Sequence, residues 1–253
     1  EIVPHDITPD EITALSQKFN LKGLILSGGP ASVYEPNAPR IDPRILEMNL
    51  PVLGLCYGHQ LIAQIVNGRV KPAACREYGI AEVNIDKPVG VLSGLSSKET
   101  VWMSHGDTVF ALPPEFEALA HTESCPVAAY RHKRKPIYGL QWHPEVIHTK
   151  NGERILRNFI LEVCKCEANW KMEDLIERMV KEIKSDIGEA KAIIGLSGGI
   201  DSSVATALAA QAVGDKLTAV FVDHGFMREG EPEAIRDAFQ KFKINFMIAN
   251  VQK

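Results

Sequence analysis

Short apolar runs alternate with amphipathic stretches along the first part of the chain. Residues 21–26 form an apolar run that stops at Ser27-Gly28-Gly29-Pro30, and residues 51–55 form a second. Such runs, ending at glycines, predict buried strands that feed loops. Residues 61–66 are apolar nearly all round, the pattern of a helix packed on a sheet. Thr8-Pro9-Asp10-Glu11 predicts a helix start, with Thr8 as N-cap, Pro9 in the first turn and Glu11 closing a capping box. Residues 43–48 predict a short helix. From about residue 79 to residue 129 the pattern breaks into short strands divided by Pro and Gly, residues 101–103, 109–112 and 126–131 among them. Residues 136–142 predict a further strand, ending at His143-Pro144-Glu145. The basic cluster of residues 131–135 reads as the hairpin tip before it. Residues 152–163 predict a helix.

A boundary is expected near residues 164–171. Residues 173–187 then predict an amphipathic helix with Leu175, Ile176, Met179, Val180 and Ile183 on its apolar face. Next come a strand at 191–196, a polar glycine loop at 197–203, a helix at 204–212, a strand at 217–222, a helix at 231–242 and a strand at 244–251. This βαβα series is the signature of a parallel sheet. The expected organisation is α/β throughout: a first domain over 1–165, a linker and amphipathic helix over 166–190, and the start of a second domain over 191–253.

Composition narrows the function classes. The 253 residues carry a formal charge of -4, and no long basic run is present. Nucleic acid is therefore not an expected partner. No apolar run reaches the roughly 18–20 residues of a membrane span. Five cysteines without a disulfide-like spacing predict a reducing, cytoplasmic setting. Cys164 and Cys166 lack a second ligand pair nearby, so no zinc site is expected there. The chain opens on Glu1-Ile2-Val3-Pro4, an extended piece without an initiator methionine, and closes on a strand-like segment. It is expected to be a fragment.

Two stretches carry chemistry. Gly54-Leu55-Cys56-Tyr57-Gly58 follows a buried strand and opens a helix, the pattern of a nucleophile elbow with cysteine as nucleophile. The sharp turn strains the nucleophile's backbone and leaves no room for side chains two residues to either side. Helix N–H groups favour negative charge on Cys56, and the Tyr57 N–H points where an oxyanion would form. His143 is a candidate base, with Glu145 two residues on to fix its tautomer.

With Ser27-Gly28-Gly29-Pro30, Gly54-Leu55-Cys56-Tyr57-Gly58-His59-Gln60 and His143-Pro144-Glu145 in this order, residues 1–165 closely resemble the class I glutamine amidotransferases. The resemblance implies a mixed, mainly parallel sheet with flanking helices. It implies that Cys56 attacks the glutamine side-chain amide, with His143 as general acid and base and Glu145 as its orienter. Gly29 and Tyr57 would supply the oxyanion-hole amides. Gln60, Ser104, Gly106 and Asp107 would line the glutamine pocket. His59 and His105 read as structural histidines. The family also opens with a strand and glycine-containing loop that this sequence lacks.

The second stretch, Ile193 through Ser203, is a strand, a glycine turn and a helix start. Successive backbone N–H groups at such a turn form an anion nest. The lysine of a Walker loop is missing. Ser197-Gly198-Gly199-Ile200-Asp201-Ser202-Ser203 resembles the loop of the ATP pyrophosphatases, whose domain is a doubly wound parallel sheet, present here in part. The resemblance implies that Ser197, Gly198, Gly199, Ile200, Ser202 and Ser203 cradle the phosphates of ATP, that Asp201 lies beside them and positions magnesium, and that the backbone of Val222 meets the adenine.

Both domains in one chain resemble the GMP synthase family, as do Arg76-Glu77-Tyr78-Gly79, residues 102–107 and residues 222–228. The resemblance implies glutamine, ATP and XMP as substrates, and a homodimer for the complete enzyme through sequence beyond this chain. Two readings stand beside it: another glutamine-dependent ATP pyrophosphatase that amidates a different acceptor, or a non-catalytic amidotransferase-like regulatory module.

Overall fold

The computed structural model describes residues 2–169, 171–223, 225, 226, 228 and 230–251. It comprises two compact units, Glu1–Ala168 and Asn169–Lys253. Among the described residues no helix is long and apolar enough to cross a membrane.

The first unit begins with α1 (Pro9–Lys18), closed by the expected capping box: the Glu11 amide donates to Thr8 Oγ1 and the Thr8 amide donates to the Glu11 carboxylate. A strand β1 (Leu24–Leu26), a 3-10 turn (Pro43–Glu47), β2 (Val52–Leu55) and α2 (Tyr57–Ile65) follow. The remaining strands are β3 (Arg69–Ile85), β4 (Lys98–Ala111), β5 (Phe116–His121), β6 (Ala129–His132) and β7 (Ile137–Leu140), and the last helix is α3 (Gly152–Arg157). Helix α3 passes directly into π-helical turns (Asn158–Val163), so the helix expected over 152–163 is built in two geometries.

The seven strands form one mixed sheet in the order β1-β2-β7-β6-β5-β3-β4. The ladders β1–β2 and β2–β7 are parallel, and those from β7 through β6, β5 and β3 to β4 are antiparallel. Strand β2 explains its own sequence. Val52 packs into one core with Ile62 and Tyr130, while Leu53 and Leu55 pack into the opposite core with Met103, Trp142 and Phe159. A strand covered on both faces reads as a continuous apolar run.

The short strands expected between residues 79 and 129 are not what forms at β3 and β4. These two build one long antiparallel ribbon. Gly79, which reads as a turn, is absorbed into it. Pro72 sits at a bulge, where the register passes from Pro72↔Asp107 to Glu77↔His105. Gly79 adopts φ +100° within the strand, at a point where a Cβ would meet nothing. Bulges of this kind bend a ribbon without ending it.

The second unit contains α4 (Met172–Ile187), β8 (Ala192–Leu196), α5 (Ile200–Val213), β9 (Leu217–Asp223), α6 (Glu231–Phe239) and β10 (Asn245–Asn250). Its three strands are parallel in the order β10-β9-β8. Leu196, Phe221 and Phe239 fill one core, and Ala209, Ala210 and Leu217 the other. Helix α4 carries the predicted apolar stripe, with Leu175, Val180 and Ile183 only half-buried. Helix α5 starts at Ile200, ahead of the expected position 204. Gly199, extended at φ -70° and ψ 162°, acts as its N-cap, so Asp201, Ser202 and Ser203 belong to the first helical turn and not to the loop. Of the stretch 222–228, His224 and Met227 lie outside the described residues.

Candidate active site

Cys56 stands between the last residue of β2 and the first of α2. Its backbone lies at φ 49° and ψ -102°, a strained conformation for a residue with a side chain. Its amide donates to the Leu140 carbonyl at 2.8 Å, which ties the turn to β7. The glycines around it answer to contacts. A Cβ at Gly54 would approach the Gly58 carbonyl carbon to 2.5 Å, and a Cβ at Gly58 would collide with the Leu26 carbonyl oxygen.

Strand β7 delivers the partner. His143 follows its end, and Nδ1 lies 2.6 Å from Glu145 Oε1. Thr149 holds the turn from below: its hydroxyl donates to the His143 carbonyl and accepts from the Trp102 amide at 3.0 Å. A hydrogen bond with the Cys56 sulfur, seconded by Glu145, raises the His143 pKa to about 10. Burial pushes the Glu145 carboxyl upward, but the His143 hydrogen bond, a backbone hydrogen bond and the charge of His143 together outweigh it, and the net shift is downward. The couple is therefore built to hold an imidazolium beside the sulfur. Gly28 lies against both: its Cβ would come 3.0 Å from His143 Cε1 and 3.6 Å from Cys56 Cβ. Gly29 lies against the Tyr57 ring instead, 3.6 Å from Cγ by the same measure.

The expected glutamine-pocket residues meet the nucleophile from β4 and α2. The Ser104 carbonyl is 3.5 Å from Cys56 Sγ. Gln60 is buried, and its Nε2 donates to the Asp107 carbonyl at 2.9 Å and to Gln141 Oε1 at 3.2 Å. Both amide hydrogens of Gln60 are thus used within the protein, leaving its oxygen for other partners. Asp107 Oδ1 accepts from the Tyr34 hydroxyl at 2.7 Å. Gly106 faces Arg76 and the Tyr78 hydroxyl across the ribbon. His59 is a core residue: its ring packs 4.6 Å from Tyr130, and burial lowers its pKa to about 3.

Three site residues escaped the sequence reading: Gln141, Thr149 and Tyr34. For Gln141 there is a signal. It is a fully buried glutamine at the end of an apolar strand, directly before Trp142 and His143. Thr149 and Tyr34 sit in loops with no local pattern to mark them.

The second candidate site lies in the other unit, where β8 runs into α5. Gly198 adopts φ +84°, and a Cβ there would press on Ile235 of α6 at 2.5 Å. Two serine hydroxyls occupy the cradle: Ser197 Oγ lies 2.9 Å from Ser202 Oγ, and the Gly199 amide donates to Ser197 Oγ at 3.3 Å. The Ser197 amide donates to Ser202 Oγ at 3.2 Å. Both hydroxyls can rotate to donate to other partners. Ser203 donates its amide to the Gly199 carbonyl as part of the helix. Ile200 is 82% exposed and Val222, on β9, is 43% exposed. Asp201 is exposed in the first turn of α5. No cluster of three metal-binding side chains exists among the described residues. A magnesium ion carried by nucleotide phosphates needs only one or two carboxylates, and Asp201 fits that requirement.

The family model of class-I glutamine amidotransferases matches residues 1–163. The chain belongs to the class-I glutamine amidotransferase family. Residues 171–253 match the NAD synthase family model. Among curated relatives, the glutamine-hydrolysing GMP synthase of Thermomicrobium roseum is 50% identical over 94% of this chain and 44% of its own length. That of Caldanaerobacter subterraneus subsp. tengcongensis is 48% identical over 95% of this chain and 46% of its own. The chain thus spans somewhat under half the length of these relatives. The crystal structure of a Thermoplasma acidophilum protein, provisionally assigned as one subunit of a GMP synthase, is 36% identical. It aligns with a TM-score of 0.58 over 65% of this chain and 80% of that one.

Proposed function

We propose that this chain carries the glutamine-hydrolysing centre and the opening part of the ATP-using centre of a GMP synthase. The observation that carries the reading is Cys56 on its strained elbow, facing a His143 that Glu145 orients and that Gly28 lies against on the same side. The relatives named above, matched on both sides of the boundary, support it.

The chemistry follows from those groups. The Cys56 sulfur attacks the side-chain amide carbon of glutamine, a C–S bond forms, and the carbonyl electron pair moves to oxygen. The amides of Gly29 and Tyr57 receive that oxyanion. His143 passes its proton to the nitrogen as the C–N bond breaks, and ammonia leaves. Water then attacks the γ-glutamyl thioester, His143 takes its proton, the C–S bond breaks and glutamate departs. Ser104, Gly106, Asp107 and the Gln60 oxygen line the glutamine pocket.

In the second unit, Ser197, Gly198, Gly199, Ile200, Ser202 and Ser203 hold the phosphates of ATP, and the Val222 backbone meets the adenine. Asp201 would hold magnesium, which neutralises phosphate charge when bound. The 2-oxygen of XMP displaces pyrophosphate from ATP, and ammonia then displaces AMP to give GMP. In this reading the complete enzyme is a cytoplasmic homodimer.

Two measurements test it. A glutamine-analogue electrophile should label Cys56 of the folded chain, and absence of labelling would overturn the glutaminase assignment. The complete enzyme should aminate XMP in preference to other oxo acceptors. Preference for a different acceptor would leave the glutaminase standing and point to another glutamine-dependent ATP pyrophosphatase.

A further inference from the structure

Thr122, Glu77, His105, Asp107, Gln60 and Gln141 form one unbroken hydrogen-bonded chain that ends on the Cys56 sulfur. Thr122 Oγ1 donates to Glu77 Oε1 at 2.9 Å, and His105 Nε2 lies 2.9 Å from Glu77 Oε2. His105 Nδ1 lies 2.9 Å from the Asp107 carbonyl oxygen, which also accepts from Gln60 Nε2 at 2.9 Å. Gln60 Nε2 is 3.2 Å from Gln141 Oε1, and Gln141 Nε2 is 3.8 Å from Cys56 Sγ. The residues at the centre of the chain are buried: Gln141 is 0% exposed, and Gln60 and His105 are each 4% exposed.

The chemistry of the groups fixes the direction of the links. A backbone carbonyl only accepts, so the end of Gln60 that faces Asp107 must be its nitrogen. The second hydrogen of that nitrogen goes to Gln141, so the end of Gln141 facing Gln60 must be its oxygen. The Gln141 nitrogen is then the group turned to the sulfur. Flipping either amide would set donor against donor or oxygen against oxygen in a buried place. At the far end, Glu77 and His105 are direct cross-strand partners in the β3–β4 register.

We propose that Gln141 is a further catalytic residue of this site: its amide N–H stabilises negative charge on the Cys56 sulfur. Glu77, acting through His105 and Gln60, is a positioning residue that keeps the amide turned that way. This rests on Cys56 being the nucleophile. The sulfur is anionic as it attacks and again as it leaves the thioester. The Ser104 carbonyl 3.5 Å away opposes that charge, whereas the Gln141 amide and the His143 imidazolium support it. A donor held in place before reaction needs no reorganisation during it.

The test is the rate at which iodoacetamide, small and neutral, alkylates Cys56 in the full chain, read by peptide mass. The exposed Cys75 serves as internal reference. Gln141→Met keeps the length of the side chain and leaves no donor to turn to the sulfur. Its Cys56 should react about 10-fold slower or more, with the Cys75 rate unchanged. Glu77→Gln, remote from the sulfur, should slow Cys56 by roughly 3-fold or more with an unchanged circular dichroism spectrum. A folded Gln141→Met protein alkylated at the parent rate overturns the catalytic role. A folded Glu77→Gln protein with unaltered Cys56 reactivity overturns the positioning role, even if the other variant fails to fold. Failure of the parent Cys56 to take a glutamine-analogue electrophile would strike the amidotransferase reading instead. A parent that is labelled, beside a Gln141→Met variant labelled equally fast, strikes only this inference.

Discussion

Gly58, in the first turn of α2, sits so close to the Leu26 carbonyl at the end of β1 that a single methyl group would collide with it. The same residue's own carbonyl carbon stands 2.5 Å from where a Cβ on Gly54 would lie. The elbow that strains Cys56 is thus clamped by two glycines, each fixed by a neighbour's backbone and not by a side chain that could yield. Gly58→Ala should destabilise the first unit by about 1–3 kcal/mol, a fall of roughly 3–10 °C in Tm. Labelling of Cys56 by a glutamine analogue should slow in parallel. An unchanged Tm with unchanged labelling would mean that the elbow relaxes without strain.

His143 and Glu145 give a pH prediction. The His143 pKa is raised to about 10, first by the Cys56 sulfur and then by Glu145. In the free enzyme the imidazolium that will protonate the leaving amine is therefore retained from neutral pH up to about pH 10, and is lost above it. The kcat/KM for glutamine hydrolysis by the complete enzyme, which reports the free enzyme, should hold a plateau through mildly alkaline pH, with its alkaline limb near 10. Glu145→Gln removes one of the raising influences, so the limb should move to lower pH and the plateau should shorten. A variant whose limb stays in place would show that Glu145 orients the ring without supporting its charge.

The local steric pattern made the elbow readable in sequence. Gly54 and Gly58 flank Cys56, and a strand-to-helix turn demands that spacing. The His143-Pro144-Glu145 turn was readable for the same reason, since its hydrogen bond spans only two residues. Glu77 and Gln141 were not readable as a pair, because a cross-strand register joins Glu77 to His105 and a parallel ladder brings the end of β7 beside Cys56. No spacing along the chain encodes either. The long ribbon was not legible because Gly79 looks like a turn residue, and only pairing with β4 shows that it is accommodated within the strand as a glycine at positive φ, beyond a bulge at Pro72. The start of α5 was not legible because Asp201, Ser202 and Ser203 read as loop, whereas Gly199 caps the helix ahead of them.

Cys56→Ala separates the two halves of the proposed reaction. Without the sulfur no thioester forms, so glutamine-dependent synthesis by the complete enzyme should fall at least about 10,000-fold. Synthesis from added ammonia should continue, because the second unit reads ammonia and not its source. Loss of both activities in a folded protein would break the proposed division of labour.

Asp201 lies in the first turn of α5, at the helix end that favours anions. A carboxylate placed there opposes bound phosphates unless a cation stands between them, and that is the argument for its role with magnesium. Asp201→Asn keeps the size and removes the charge. In the complete enzyme, XMP-dependent exchange of pyrophosphate into ATP should fall by roughly 10-fold to 100-fold. Added magnesium should not restore the loss fully, and labelling of Cys56 by a glutamine-analogue electrophile should stay at the parent rate. If exchange is unchanged or faster, Asp201 only opposes the phosphates and the metal is held without it. Gly198→Ala offers a contrast at the same loop. It strains a left-handed residue at φ +84° and pushes on Ile235, so it should weaken ATP binding and lower the Tm of the second unit together. Asp201→Asn, an exposed change, should leave that Tm within about 2 °C.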